Sequence, residues 1–229
     1  MSDIKLKPEE MAKYIDHTLL KAEAKGEDID KLCMEARDNG FCSVCVNTCW
    51  ASRAVRNLSG TDVITCVVVG FPLGAMDSRA KAAEAGFAVG DGAGEVDMVL
   101  NIGALKSGDL ELVESDIRAV LGACDGKAKL KVIIETALLT KEEIILASQI
   151  VKKAGAHFVK TSTGFSTSGA KVEDVALMRK TVGPDMGVKA AGGVRTFEDA
   201  VAMINAGATR LGTSGGIKII NGQEIESGY

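Results

Sequence analysis

Short apolar runs alternate with longer amphipathic stretches along almost the whole chain. Residues 64–71 are an unbroken apolar run, which is typical of a parallel strand buried on both faces, whereas Ile29, Leu32 and Ala36 recur at the spacing of one helix face. The pattern predicts eight strands, at residues 15–20, 43–47, 64–71, 95–101, 130–136, 158–163, 187–191 and 209–213. It predicts helices around them at residues 8–14, 29–39, 49–58, 77–89, 110–123, 141–154, 172–182 and 197–206.

Two of the predicted connections between a helix and the next strand have the sequence Ala-Gly-Ala. Gly155 and Gly207 stand at their centres, where a glycine can take the left-handed conformation that ends a helix. These glycines are two units apart, so a unit has about 26 residues, near the ~30 of a barrel with eight strand–helix units. We therefore expect an α/β fold, a (β/α)8 TIM barrel. The alternative, an open doubly wound sheet, is disfavoured because no early strand carries a G-x-G-x-x-G turn.

Composition agrees with one domain over residues 1–229. The chain is 46% hydrophobic and has 26 glycines but only 4% aromatic residues, which favours close packing of helices on a sheet. Residues 221–229 show no helical period and are predicted to be a short mobile tail.

Charge and hydropathy exclude several classes of partner. The net charge is −4 and the basic residues are scattered, which argues against nucleic acid. No apolar run approaches the ~18 residues that a membrane-spanning helix needs, and the first residues contain no apolar segment typical of a secretion signal. We therefore expect a cytoplasmic protein without a membrane partner.

The cysteines at positions 42, 45 and 49 have a spacing that could indicate a metal or redox site. Against this, Cys45 lies within an apolar strand pattern, no second cysteine pair exists, and His17 and His157 are distant in sequence. Reduced thiols and no metal are the preferred interpretation.

Among the charged residues of the predicted strands, three are candidates for the chemistry: Asp97, Lys160 and Lys189. Active sites of such barrels lie at the carboxyl ends of the strands. Side chains alternate across a strand, and neighbouring strands are ~4.8 Å apart, so Lys160 pointing into the barrel would approach Lys189. Repulsion and burial would then lower the pKa of one lysine and leave a neutral amine able to form a Schiff base, while the second lysine stays charged.

Asp97 would supply a compensating anion and, through a water molecule, a group that moves protons to and from carbon. Each charge alone has a plainer interpretation, as a lysine reaching water at the barrel rim or as a satisfied ion pair. The three together favour a class I aldolase site, because buried ions need a compensating reason.

Glycine-rich turns follow the last two strands. Residues 192–195 (GGVR) and 212–216 (GTSGG) stand where barrels commonly bind phosphate, and a short helix over 215–219 would point its N-terminus at the anion. Such turns also simply end strands, but their paired location favours a phosphate pocket.

The motifs that contain these residues follow one another in the order found in a known family. The chain resembles the deoxyribose-phosphate aldolases along nearly its whole length. The matching motifs are residues 15–21 (IDHTLLK), 44–47 (VCVN), 70–74 (GFPLG), 95–103 (EVDMVLNIG), 131–136 (KVIIET), 158–165 (FVKTSTGF) and 188–195 (VKAAGGVR). The resemblance implies a (β/α)8 enzyme without metal or cofactor. It would reversibly cleave 2-deoxy-D-ribose 5-phosphate to acetaldehyde and D-glyceraldehyde 3-phosphate, in deoxyribonucleoside catabolism.

The resemblance also implies roles for single residues. Lys160 corresponds to the Schiff-base lysine, Lys189 to the lysine that perturbs it, Asp97 to the proton relay, and Tyr229 to a tyrosine that folds over the site. The implied substrate-binding residues are Asp16, Thr18, Cys45 and Thr161 around the pocket, and Gly192, Gly193, Gly212 and Ser214 at the phosphate. Gly215 follows Ser214 where many relatives carry a second serine, which predicts weaker phosphate binding. A homo-oligomer, dimer or tetramer, is also expected.

Two other functions are compatible with these residues. One is a class I aldolase or transaldolase for another phosphosugar, which the preferred aldehyde donor would distinguish. The other is a barrel that binds a sugar phosphate as a sensor, which steady turnover would exclude.

Overall fold

Eight parallel strands close into a barrel in the computed structural model, which describes residues 6–224. The strands pair in chain order, and β1 closes the barrel on β8. They are β1 Ile15–Leu19, β2 Ser43–Asn47, β3 Ile64–Val69, β4 Glu95–Val99, β5 Lys129–Ile133, β6 Phe158–Lys160, β7 Gly187–Ala191 and β8 Arg210–Thr213. The predicted (β/α)8 barrel is confirmed, and the open doubly wound sheet is wrong.

Ten α-helices lie among the described residues, most of them between successive strands. They are α1 Pro8–Ala12, α2 Gly26–Asn39, α3 Ala51–Asn57, α4 Ser78–Gly90, α5 Ile102–Lys106, α6 Leu110–Cys124, α7 Lys141–Ala154, α8 Val172–Val182, α9 Phe197–Asn205 and α10 Gly216–Ile220. Short 3-10 helices cover Thr48–Trp50 and Thr136–Leu138. None of these helices in residues 6–224 is long and apolar enough to cross a membrane.

Some boundaries differ from the sequence pattern. β3 ends at Val69, before Gly70 with its φ of 62°, and β5 ends at Ile133, shortly before Glu135, which has a φ of 54°. These left-handed residues turn the chain out of the strand although the apolar pattern continues. The helix α5 was not predicted, because Gly103 at its second position is unfavourable in a helix.

The glycine predicted to end α7 takes the left-handed conformation, with a φ of 88° at Gly155. Gly207, after α9, has a φ of 109°. Both conformations are costly for a residue with a Cβ atom, and they return the chain sharply to the next strand.

The hydrophobic core lies between the strands and the helices, while the interior of the barrel holds charges. On β4, Val96 and Met98 belong to the main core cluster, whereas Glu95 and Asp97 form ion pairs across the barrel. This is the two-residue alternation of a strand. A smaller cluster of Leu20, Cys45, Cys66 and Val68 packs beside the charges. The alternation on eight strands therefore brings polar side chains together at one place.

Candidate active site

The three charged residues singled out in the sequence meet inside the barrel. Lys160 on β6 is the register partner of Lys189 on β7, so the two side chains start side by side. Both ammonium groups donate to the same oxygen of Asp97, Oδ2, at 2.8 Å from Lys160 and 2.7 Å from Lys189. Lys160 is 2% exposed and the other two are fully buried. Two lysines therefore share one carboxylate oxygen in a site with very little water.

Four further side chains join these three through ion pairs of 4 Å or less. Lys131 Nζ lies 2.6 Å from Glu95, 2.7 Å from Asp97 and 3.8 Å from Asp16. Arg210 bridges Asp16 at 2.7 Å and Glu95 at 2.9 Å. We call these seven side chains the charge network: Asp16, Glu95, Asp97, Lys131, Lys160, Lys189 and Arg210.

The network fixes the charge of several of its members. Burial alone would lower the pKa of Lys189, but the carboxylates of Asp16 and Asp97 raise that pKa well above its usual value. Burial opposes the ionisation of Asp97, yet Lys131, Lys160 and Lys189 hold its pKa well below the usual range. Both shifts favour the charged forms of Lys189 and Asp97. The loss of a proton from Lys160 stays a prediction.

Two thiols lie against the network. The Cys66 thiol donates to Asp97 Oδ1 at 3.1 Å and accepts from Lys131 at 3.2 Å. Burial raises the pKa of Cys66, while the interaction with the Cys66 side chain lowers the pKa of Cys45. The donor atoms of Cys45, Cys66 and Asp97 lie within 4.8 Å of one another, close enough for a metal ion. Three ammonium groups already form ion pairs with Asp97, so the surrounding positive charge is unfavourable for binding a metal cation.

The cysteine motif noted in the sequence does not converge on one point. Cys45 is buried inside the barrel, Cys42 is partly buried just before β2, and Cys49 is exposed in the 3-10 helix Thr48–Trp50. The three thiols therefore lie in separate environments and do not form one site.

The residues that the resemblance placed around the pocket have different contacts. Asp16 is a member of the charge network. Thr18 donates its hydroxyl to the Asp16 carbonyl at 2.8 Å, which supports the end of β1. Thr161 accepts from the Ala191 amide at 3.1 Å and donates to the Ala191 carbonyl at 3.2 Å. Thr161 therefore ties β6 to β7 just beyond the two lysines.

The glycine-rich turns lie side by side at the carboxyl ends of β7 and β8. Gly192 and Gly193 have φ values of 71° and 79°, in the left-handed region that favours glycine. Gly212 lies within β8 as the register partner of Ala191, and Ser214 is exposed just beyond the strand. The loop after β6 packs closely on the first turn, since the Ala170 amide donates to Gly192 O at 2.9 Å.

A cavity of about 530 Å³ opens beside the carboxyl end of β1. Thr18 and Ser214 line it, together with residues of α2 such as Asp28 and Lys31. Lys160 is outside its lining, so the cavity extends away from the charge network toward the turn after β8.

Four buried charged residues in or near the charge network were not identified from the sequence: Lys131, Glu95, Arg210 and Glu135. Lys131 interrupts an apolar strand, the same signal that identified Lys160. Glu95 and Arg210 stand at the first positions of their strands, where a charge usually faces water. Glu135 is 2% exposed and accepts hydrogen bonds from the Thr163 amide and hydroxyl. The sequence does not indicate this contact, because it joins two loops.

One predicted catalytic residue, Tyr229, lies outside residues 6–224, so its assignment stays a prediction.

Comparison with known proteins agrees with this geometry. The model of the DeoC/LacD family aldolases matches residues 10–222. A deoxyribose-phosphate aldolase of Clostridium novyi is 62% identical over 218 residues, covering 95% of this chain and 98% of the relative. One of Brevibacillus brevis is 61% identical over 220 residues, covering 96% and 99%. Among solved structures, the tetrameric deoxyribose phosphate aldolase of Aeropyrum pernix matches with a TM-score of 0.87 and 34% identity, covering 94% of this chain and 91% of that one.

Proposed function

Because this chain belongs to the DeoC/LacD family of aldolases, we propose that it reversibly cleaves 2-deoxy-D-ribose 5-phosphate to acetaldehyde and D-glyceraldehyde 3-phosphate. The observation that carries the proposal is the sharing of Asp97 Oδ2 by Lys160 and Lys189 inside the barrel. A lysine held beside a second cation and shielded from water is suited to a Schiff base at neutral pH. Lys160 is the nucleophile, since β6 ends there and its side chain is the least buried of the three network lysines.

The reaction follows from these positions. The neutral Lys160 amine adds to the aldehyde carbon of the open-chain sugar, and loss of water gives an iminium ion. Removal of the proton from the C3 hydroxyl breaks the bond between C2 and C3, whose electrons move into the iminium to give an enamine. Glyceraldehyde 3-phosphate leaves, a proton is added to the enamine carbon, and water then releases acetaldehyde.

Asp97 is the group placed to move these protons. Its Oδ2 lies 2.8 Å from Lys160 Nζ, within the reach that proton transfer needs directly or through one water. Burial would raise the pKa of Asp97, but the three lysines lower it. The carboxylate therefore stays ionised and can accept a proton. Lys189 remains a cation that opposes protonation of Lys160 and stabilises the negative charge on Asp97.

The phosphate of the substrate would bind the turns after β7 and β8. Gly192, Gly193 and Gly212 allow backbone N–H groups to approach an anion closely, and the Ser214 hydroxyl adds a donor. Gly215 provides no second hydroxyl, so backbone donors have the larger share of the binding.

A trapping experiment tests the proposal. Acetaldehyde with cyanoborohydride should leave an ethyl group on Lys160, located by peptide mass spectrometry, and Lys160→Ala should lose both the adduct and turnover of deoxyribose phosphate. EDTA should leave the rate unchanged. An unmodified Lys160 in a fully active enzyme would refute the Schiff base. A preference for another donor would indicate a different phosphosugar aldolase, and binding without turnover would indicate a sensor.

We also propose a homo-oligomer, dimer or tetramer, acting in the cytoplasm on small sugar phosphates and aldehydes without a cofactor. The tetramer described for the Aeropyrum pernix relative supports an assembly of this kind. Light scattering that gives the mass of a single chain would contradict it.

A further inference from the structure

The charge network has an excess of positive charge when all of its members are ionised. Within residues 6–224 it holds three carboxylates, Asp16, Glu95 and Asp97, and four basic groups, Lys131, Lys160, Lys189 and Arg210. Lys160 is 2% exposed, Arg210 is 6% exposed and the others are fully buried. An uncompensated charge in such a place is costly, so the network is most favourable with one basic group neutral.

The contacts decide which basic group gives up its proton. Within the described chain, Lys131 lies near three carboxylates, and Lys189 and Arg210 near two each. Lys160 contacts Asp97 alone, and it shares that oxygen with Lys189. Lys160 therefore loses the least electrostatic stabilisation when it becomes neutral.

Three further titratable groups lie near Lys160, and within residues 6–224 none of them forms an ion pair with it. From β2 and β3, the thiols of Cys45 and Cys66 adjoin Asp97. Burial raises the pKa of Cys66, which favours its neutral form, whereas the interaction with Cys66 lowers the pKa of Cys45. From the loop after β5, Glu135 binds Thr163, and burial raises the pKa of this carboxyl, which favours its neutral form. The remaining groups facing Lys160, on β1, β4, β5, β7 and β8, are the members of the network itself.

We infer that Glu95 and Arg210 are positioning residues that set the total charge of the network, and so the pH at which Lys160 becomes a nucleophile. Both act through their neighbours. Glu95 pairs with Lys131, and Arg210 with Asp16, and these partners contact Asp97 and Lys189 around Lys160. The inference rests on the proposed function, because it needs Lys160 as the Schiff-base amine.

Two neutralising substitutions should shift the pH dependence in opposite directions. Glu95→Gln removes a negative charge, so Lys160 should lose its proton more readily and the pH midpoint of adduct formation should fall. Arg210→Gln removes a positive charge, so the midpoint should rise. A unit charge about 10 Å away, at an effective dielectric constant of about 20, changes such a midpoint by about one pH unit. The double variant should return to the parent midpoint.

The measurement is the rate of ethyl transfer to Lys160 from acetaldehyde and cyanoborohydride, followed across pH by mass spectrometry. Arg210→Lys keeps the charge and should keep the midpoint. Slower reaction with unmoved midpoints, or shifts in the same direction, would show a structural role only and overturn the inference. Should circular dichroism show that a variant is unfolded, Lys131→Gln replaces Arg210→Gln, with the same upward shift, and Asp16→Asn replaces Glu95→Gln, with the same downward shift. Failure of the parent to form any adduct would instead contradict the proposed function.

Discussion

Lys189 keeps its charge because two buried carboxylates hold it, and that charge should be what makes its neighbour reactive. In Lys189→Leu the network contains three basic groups and three carboxylates, so Lys160 can remain protonated without an excess charge. We expect adduct formation at pH 7 to fall about tenfold or more, which corresponds to a shift of one pH unit or more, and to recover partly at alkaline pH.

The matched control is Lys180→Leu, which makes the same change at an exposed position of α8. It should leave the pH dependence of adduct formation unaltered. A Lys189→Leu enzyme that reacts normally at pH 7 would show that burial alone tunes Lys160. Trapping at pH 7 and pH 9, measured by mass spectrometry, separates the two cases.

Single residues were predictable where their surroundings made them unusual. Lys160, Lys189 and Asp97 interrupt apolar strands near the end where barrels place their sites. Glu95 and Arg210 could not be identified in this way, because a charge in the first two positions of a predicted strand is ordinary. Their burial arises only from closing the barrel, which brings Arg210 to Asp16, 194 positions away in sequence.

At the level of elements, boundaries were predictable where local chemistry sets them. The bounds of α7 match the prediction because Thr140 and Glu143 form a capping box at its start and Gly155 ends it. The end of β5 was not predictable. Glu135 leaves the strand direction with a φ of 54°, and its carboxylate is bound by Thr163 on the next strand–helix loop. A contact between two distant loops leaves no periodic trace in the sequence.

The loop after β6 should control phosphate binding through Gly169. A Cβ atom at this position would lie 2.3 Å from the carbonyl carbon of Gly192, so Gly169→Ala must displace the turn after β7. We expect KM for deoxyribose 5-phosphate to rise, since a misplacement of about 1 Å can cost up to about a hundredfold in activity. Adduct formation with acetaldehyde, which has no phosphate, should change less than about twofold.

Gly86→Ala provides the comparison for that loop variant. Gly86 lies in α4, and a Cβ atom there would meet nothing within 4 Å. This variant should keep the parent KM and gain about 0.4–1 kcal/mol of stability, because alanine restricts the unfolded chain. Equal KM values in the parent and in Gly169→Ala would show that the turn after β7 does not bind the phosphate.

At the scale of the molecule, the order of the strands was predictable and the content of the barrel was not. Alternating strands and helices with short connections leave few arrangements other than a parallel barrel. The set of side chains inside the barrel depends on which residues of β1, β4, β5 and β8 point inward at the same level along the barrel axis. Those four strands supply Asp16, Glu95, Lys131 and Arg210 to one network.

The buried thiols outside the barrel should limit stability at alkaline pH. Burial raises the pKa of Cys33 and that of Cys124 to about 11 each, whereas a thiol in an unfolded chain titrates near 8.5. Between these values the folded state retains protons that the unfolded state loses. The stability linked to each thiol is therefore complete below pH ~8.5 and is lost as pH rises toward 11, at about 1.4 kcal/mol per pH unit.

Removing one of these thiols should make the free energy of unfolding fall less steeply with rising pH. Cys124→Ala leaves a small cavity beneath α6 and lowers the free energy of unfolding at pH 7. Above pH ~9 its free energy of unfolding should fall less steeply than that of the parent, by about 1.4 kcal/mol per pH unit. Urea unfolding followed by circular dichroism from pH 7 to 10 measures both slopes, and Cys49→Ala, at an exposed cysteine, should keep the parent slope. Parallel curves for the parent and Cys124→Ala would mean that Cys124 titrates alike in the folded and unfolded chain.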